Sequence, residues 1–108
     1  MSVTARRLVQ ATLGITIVAV YTTPPATRTQ ITEIWLANNN TTTARRVTLR
    51  AHDTAATNTI IPSIEIAANG TQIIDGSKIV LAAGEVFAAL QDVGTDVILT
   101  AYGVEEVV

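Results

Sequence analysis

The chain has 108 residues, which is enough for one domain (1–108) with a real core, since a chain of this size buries about 65% of its surface on folding. Cysteine is absent, which excludes disulfides, thiolate catalysis and zinc–thiolate sites. Seven Lys and Arg against nine Asp and Glu give a net charge of −2, which provides no basic surface for nucleic acid.

The N-terminal part of the chain has some features of a secretion signal. Two arginines precede an apolar stretch from Leu8 to Tyr21. Polar residues and a glycine interrupt this stretch, however, and Pro24-Pro25 stands where a small-residue cleavage site is needed. The uninterrupted part, Ile17 to Tyr21, is far shorter than the roughly 20 residues that span a bilayer. We therefore predict strands here and no membrane association.

Apolar residues along the rest of the chain recur with period two, and no window of helical length keeps a 3.6-residue period. The predicted strands are Leu8–Leu13, Ile15–Tyr21, Thr29–Asn38, Val47–His52, Ile60–Ile66, Thr71–Ile74, Lys78–Leu81, Val86–Leu90 and Val97–Val104. Their spacing of 8–12 residues is typical of a sandwich or barrel. We expect an all-β, single-domain antiparallel β-sandwich, jelly-roll or Ig-like, of about eight short strands.

Turn residues suggest how these strands connect. Gly14 is expected to join the first two strands in a hairpin or a bulge. Asn69-Gly70 and Asp75-Gly76 are the strongest hairpin signals in the chain. Pro62 places its strand at a sheet edge or a break. Further turns or loops are predicted at Thr23–Ala26, Asn38–Thr43, Asp53–Asn58, Ala83-Gly84 and Asp92–Asp96.

Strand alternation also assigns residues to the two faces. Ile34 and Leu36 should face the core together with Val47, Leu49 and Ala51. Arg50 and His52 should then face outward.

The closing strand is predicted to be paired within a sheet. Its Ala101 and Gly103 are small enough to let another element approach closely. Glu105-Glu106 is expected to discourage further edge pairing, which leaves the residues after Glu105 dispensable.

Candidate chemistry is sparse. His52 is the only histidine, and its neighbour Asp53 points the opposite way in a strand, so the two cannot form a catalytic relay. No serine stands in a nucleophile elbow, and no glycine-rich phosphate loop occurs. Asp92 and Asp96 flank a turn and are better explained as turn residues than as cation ligands. We predict no catalytic residue, no metal and no cofactor, and hence no enzyme.

Charged residues make up 15% of the chain, below the roughly 25% of an ordinary soluble domain, and Thr, Asn and Gln fill the difference. A surface of this kind loses its water easily when it packs against other subunits. The preference of β-strands for Thr explains the composition equally well.

Four residues are candidates for an interface: Trp35, Tyr102, Arg45 and Arg46. Trp35 lies on the strand face that lacks Ile and Leu, and aromatic residues are enriched at interface hot spots. Filling the core is an equally good explanation for this tryptophan. Arg45 and Arg46 are either a partner contact or a solvated strand end, and neighbours in a strand cannot both face one ligand.

Four segments carry a resemblance to a known family. They are Thr22-Thr23-Pro24-Pro25-Ala26, Ile34-Trp35-Leu36-Ala37-Asn38-Asn39, Leu81-Ala82-Ala83-Gly84-Glu85 and Ile98-Leu99-Thr100-Ala101-Tyr102-Gly103-Val104-Glu105. In this order the chain resembles small virion structural proteins of tailed bacteriophages, over most of residues 20–105. The chain departs from the family pattern at Arg45–Ile66, the segment expected to carry partner specificity.

This resemblance implies a non-enzymatic β-sandwich located in the virion. The first expectation is a capsid decoration (cement) protein that binds the major capsid protein or other virion proteins, as a homo-oligomer or bound to a lattice. A tail or baseplate component is the alternative. A bacterial carbohydrate-binding or adhesin module is the alternative from another class. Such modules present several co-planar aromatics, whereas Tyr21, Trp35, Phe87 and Tyr102 are scattered along this sequence.

Overall fold

The computed structural model describes residues 3–108, and residues 1 and 2 lie outside the described part. Eight strands occupy almost all of that part: β1 (Val3–Thr12), β2 (Val18–Thr22), β3 (Thr27–Asn38), β4 (Arg45–His52), β5 (Thr59–Ile66), β6 (Thr71–Leu81), β7 (Val86–Gln91) and β8 (Val97–Val107). A 3₁₀ turn, Ala56–Asn58, lies between β4 and β5. The predicted all-β class and strand number are confirmed.

The strands form two four-stranded antiparallel sheets, with the orders β1-β8-β3-β6 and β2-β7-β4-β5. The pairs β1·β8, β2·β7, β3·β6 and β4·β5 together make one long antiparallel ribbon that is folded over on itself. Folding such a ribbon into two sheets produces a jelly roll. The Ig-like alternative does not apply, because it places the first two strands in the same sheet.

The connection at Gly14 is neither a hairpin nor a bulge, because β1 and β2 lie in different sheets. Leu13 N donates a hydrogen bond to Val97 O, and Gly14 O accepts one from Gln91 N, each 2.9 Å long. The link therefore crosses from one sheet to the other and is held at both ends by the β7–β8 connection.

The Asn69-Gly70 pair does turn the chain, but it does not make a hairpin. Gly70 N donates to Ala67 O over 3.0 Å, and Asn69 has a φ of 56°. The flanking strands β5 and β6 belong to opposite sheets. A turn signal defines a local change of direction, and the packing of the two sheets decides which strands pair.

The prediction of a turn at Asp75-Gly76 is wrong, because both residues lie within the continuous strand β6. Glu33 pairs with Asp75 and Ile31 pairs with Ile79, so the residues between Asp75 and Ile79 face Thr32 alone. This is a β-bulge. The long ladder with β3 on both sides of the bulge outweighs the local preference for a turn.

The core lies between the two sheets, as strand alternation predicted. Ile34, Leu36, Val47 and Leu49 are fully buried, whereas His52 is exposed. The remaining core residues are Leu13, Ile31, Ala51, Ile66, Leu81, Phe87, Ala89, Val97, Leu99 and Ala101. Accessible surface totals 5636 Å², close to the roughly 5,800 Å² expected for this mass.

The edge position predicted for β5 is correct, whereas the end predicted for the pairing of β8 is not. β5, which contains Pro62, pairs only with β4 and is an edge strand as predicted. β8, by contrast, lies between β1 and β3 and continues to Val107, so Glu105 and Glu106 do not end its pairing. Within residues 3–108, no helix has the length and apolar character needed to cross a membrane.

Candidate interaction surface

The side chains of β1, β8, β3 and β6 that point away from the core form a continuous surface, which we call the outer face. Strand register arranges them in rows across the sheet. The rows are Thr12–Ile98–Ala37–Thr71, Gln10–Thr100–Trp35–Ile73, Arg7–Tyr102–Glu33–Asp75, Ala5–Val104–Gln30–Val80 and Val3–Glu106–Arg28.

Trp35 and Tyr102 meet at the centre of the outer face. Tyr102 is directly opposite Glu33, two residues from Trp35, so the two aromatic rings are diagonal neighbours on adjacent strands. Their exposed fractions are 39% and 40%, which shows that Trp35 does not fill the core. The Trp35 indole N–H donates to Glu33 Oε1, and this bond restricts the orientation of the ring.

A shallow depression of about 300 Å³ lies beside the two aromatics. Gln10, Thr100 and Ile98 contribute to its wall. Gln10 Nε2 donates to Thr100 Oγ1 over 3.1 Å, which links β1 to β8 across this wall. The depression is thus lined by aromatic and uncharged polar groups.

Five of the eleven large apolar side chains that are exposed among the described residues lie on the outer face. Val3, Trp35, Ile73, Val80 and Tyr102 all lie there and are all among the large apolar side chains with high exposure. Trp35 and Ile73 are direct neighbours across β3 and β6, and exposed apolar side chains that adjoin on one face are a feature of interaction sites.

Five of the nineteen residues in these rows are charged, and the charges are unevenly placed. Arg7 lies on β1, whereas Glu33 and Asp75 lie on β3 and β6 in the same row. Arg28 and Glu106 form an ion pair in the last row. Sequence inspection did not find this arrangement, because strand neighbours far apart in the chain become visible only through the register.

The two predicted arginines lie elsewhere, at the start of β4 in the other sheet. Arg45 is largely buried, and its Nε lies 2.8 Å from Asp96 Oδ2, so it anchors the β7–β8 connection. Arg46 is exposed and 3.4 Å from Glu65 on β5. The structure therefore brings Trp35 and Tyr102 together but separates them from Arg45 and Arg46.

The polar groups singled out for catalysis or metal binding have local structural partners. His52 Nδ1 lies 3.1 Å from Glu85 Oε1. The Ala82 backbone N–H and the nearby imidazole lower the pKa of the Glu85 carboxyl. Asp92 accepts hydrogen bonds from the backbone N–H of Arg46 and Val93. Among the described residues, no group of three or more His, Asp or Glu side chains is placed to hold a metal ion.

No protein-family model matches the sequence, and no curated protein matches it. One solved structure with a similar fold comes from Bacillus endospore appendages, which are described as a novel family of disulfide-linked pili. Its TM-score is 0.58 with 11% sequence identity, over 99% of this chain and 89% of that chain. At this identity the likeness shows a shared fold.

Proposed function

We propose that this protein is a non-enzymatic structural protein of a bacteriophage virion, a capsid decoration (cement) protein that adheres to neighbouring subunits. Its adhesive surface is the outer face. The observation that carries this proposal is the exposure of Trp35 and Tyr102 as neighbours at the centre of a sheet face.

The physical basis is the low cost of removing water from such a face. Thr, Gln and apolar side chains occupy most of its rows. Aromatic residues are enriched at protein interfaces.

Fold and composition support the same proposal. The jelly roll is an architecture of viral capsid domains, although lectin domains and cupins share it. The structural neighbour from Bacillus is described as part of pili, which are assemblies of protein subunits. This chain has no cysteine, so the association that we propose uses no disulfide and depends on surface complementarity.

The test uses particles of the encoding phage that are assembled without this protein. Purified chain is incubated with them, the particles are sedimented, and bound protein is quantified by mass spectrometry. We expect saturable binding that Trp35→Ala weakens at least about tenfold, because hot-spot aromatics contribute about 2 kcal/mol or more.

The matched control is Ile60→Ala, an exposed apolar residue on the edge strand of the other sheet, which should bind like the wild type. A cryo-EM map of the decorated particle then locates the protein on the capsid or on the tail and baseplate. Absence of saturable binding to any particle component would contradict the proposal.

A carbohydrate-binding or adhesin module is the second candidate, and one observation favours it. The fold brings two of the four aromatic residues together beside Gln10 and Thr100, a combination of ring faces and amide or hydroxyl groups that suits a sugar. Glycan-array binding that Trp35→Ala abolishes would support this candidate. Binding to particles without any glycan binding would support the virion role.

A further inference from the structure

We infer that the four edge strands of the sandwich are closed to strand addition, each by extra residues of its own, so that this chain contacts other chains through side chains and not through its sheet edges. The edges are β1 and β6 in one sheet and β2 and β5 in the other. An edge strand has a row of unpaired N–H and C=O groups, to which a second chain can add a strand. The inference does not depend on the proposed function.

β1 has one residue more than β8 over the stretch where the two strands pair. Arg7 pairs with Tyr102, and Val9 pairs with Ala101. Leu8, which lies between them, is therefore an extra residue and makes a β-bulge. A bulge bends its strand and disturbs the even spacing of the groups on the free edge, so a regular strand can follow β1 on one side of Leu8 only. Arg7 is exposed and adds a second obstacle, since charged side chains on an edge strand oppose pairing.

β2 has the same feature. Ala19 pairs with Ala88, and Tyr21 pairs with Phe87, which leaves Val20 as the extra residue. Because β2 runs only from Val18 to Thr22, two residues remain on each side of this bulge. Segments of this length offer an added strand too few backbone groups for stable pairing.

The other two edge strands are interrupted as well. Two residues of β5, Pro62 and Ser63, lie opposite Thr48 of β4 alone. Proline has no N–H to offer an added strand and is confined to edges and bulges of sheets. β6 contains the bulge opposite β3 that is described above.

The distribution of these extra residues follows the edges. In each of the four pairs that include an edge strand, the edge strand is the one with more residues. The interior ladder between β4 and β7 keeps an unbroken register, and the interior ladder between β3 and β8 has a single bulge at Thr32. Bulges on edge strands are a means by which sheet proteins avoid edge-to-edge association.

The experiment restores a regular edge on β1 by deletion of Leu8. The other pairs keep their register, because Arg7 and Val9 then follow one another as their partners on β8 do. Arg7→Cys is added, which removes the charge and places a thiol at the middle of the shortened strand. Since the chain has no other cysteine, a disulfide between two copies reports antiparallel pairing of β1 with β1 of the second copy.

The matched control is Leu8→Ala in the Arg7→Cys chain, which loses the same side chain but keeps the bulge. At about 100 µM under mild oxidation, we expect the deletion variant to form at least about tenfold more disulfide-linked dimer than this control. Both variants have the same outer face, so association through that face would cross-link them equally. Thermal melts establish that both are folded. If deletion of Leu8 prevents folding, deletion of Val20 replaces it, with Val20→Ala as its control and sedimentation equilibrium as the readout.

Two results would overturn the inference. A folded deletion variant that dimerises no more than its control would show that the bulge is not what closes the edge. An Arg7→Cys chain with Leu8 in place that cross-links as strongly as the deletion variant would show that the edge is open despite the bulge. Neither result bears on the binding of particles, which tests the outer face and not the sheet edges.

Discussion

The phenol oxygen of Tyr21 lies 2.5 Å from Oε2 of Glu105, and this hydrogen bond joins the two sheets of the sandwich. Tyr21 is on β2 and Glu105 is on β8. The same phenol is 2.8 Å from Thr29 Oγ1 on β3, and Glu105 also pairs with Arg6 at 3.1 Å. The group thus connects four strands near the ends of the chain.

Replacement of Tyr21 by Phe should lower the free energy of unfolding by about 1–2 kcal/mol, because a hydrogen bond to a charged acceptor is lost. Urea denaturation followed by circular dichroism measures this change. Tyr102→Phe is the control, since that side chain is exposed on the outer face, and its effect should stay within about 0.5 kcal/mol. Equal effects of the two substitutions would contradict an inter-sheet role for Tyr21.

The same contact predicts a dependence on alkaline pH. Burial, with the hydrogen bond to Glu105, raises the pKa of the Tyr21 phenol from 10.0 to about 12. The unfolded chain therefore loses this proton at lower pH than the folded chain does. The stability that Tyr21 contributes should be complete below pH 10 and should disappear between pH 10 and 12.

The measurement is the difference in unfolding free energy between the wild type and Tyr21→Phe, followed from pH 8 to 12. A difference that stays constant through pH 12 would show that the phenol titrates normally.

Gly103 is the position where the sandwich tolerates no side chain. A Cβ there would lie 2.1 Å from the backbone O of Gln30 and 2.9 Å from Leu8 Cδ1. Because a backbone atom in a paired strand cannot move aside, Gly103→Ala should cost about 3–5 kcal/mol. Gly14→Ala is the control, since nothing lies within 4 Å of its Cβ position. Thermal denaturation compares the two, and a small effect at Gly103 would contradict the close approach of β3.

The assignment of strand β4 to its faces predicts a contrast between two of its residues. Leu49→Ala should cost about 2–5 kcal/mol, because the side chain is fully buried in the core. His52→Ala should change stability by about 0.5 kcal/mol or less, because this imidazole is exposed. Chemical denaturation decides between them, and a larger effect at His52 would reverse the assignment.

Truncation tests the role of the last strand. Removing the residues after Glu105 deletes the Arg28–Glu106 ion pair and the hydrogen bond from Val108 N to Ala26 O. We expect this chain to fold with stability lowered by about 1–3 kcal/mol, so these residues are less dispensable than the sequence suggested. Truncation after Leu99 should abolish folding, because it removes most of an interior strand. A cooperative melt of the shorter chain would contradict that prediction.

Local features of the sequence predicted the all-β class, most strand positions and the inward residues of β3 and β4. Alternation such as Val47, Leu49 and Ala51 depends only on the direction of successive side chains, which the chain itself fixes. The turn predicted at Asp75-Gly76 is wrong because the turn preference is a local property, whereas the ladder with β3 joins residues that are far apart in the chain.

The sequence predicted only part of the candidate surface. Trp35 could be placed on a face without Ile and Leu, but its neighbours on that face could not be named. Tyr102 is far from it in the chain and adjacent to it in the fold, because β8 pairs with β3.

The sequence by itself determined where most of the strands lie, which residues of β3 and β4 face the core, and that no thiol chemistry is possible. The tertiary structure alone decided that the sandwich is a jelly roll, that Gly103 must have no side chain, and that Arg7 shares a row with Glu33 and Asp75. The physical reason is the separation along the chain over which each interaction acts. Alternation and turn preference act between neighbours in the chain, whereas sheet order and register arise from pairing between distant strands, which only the burial of the whole core selects.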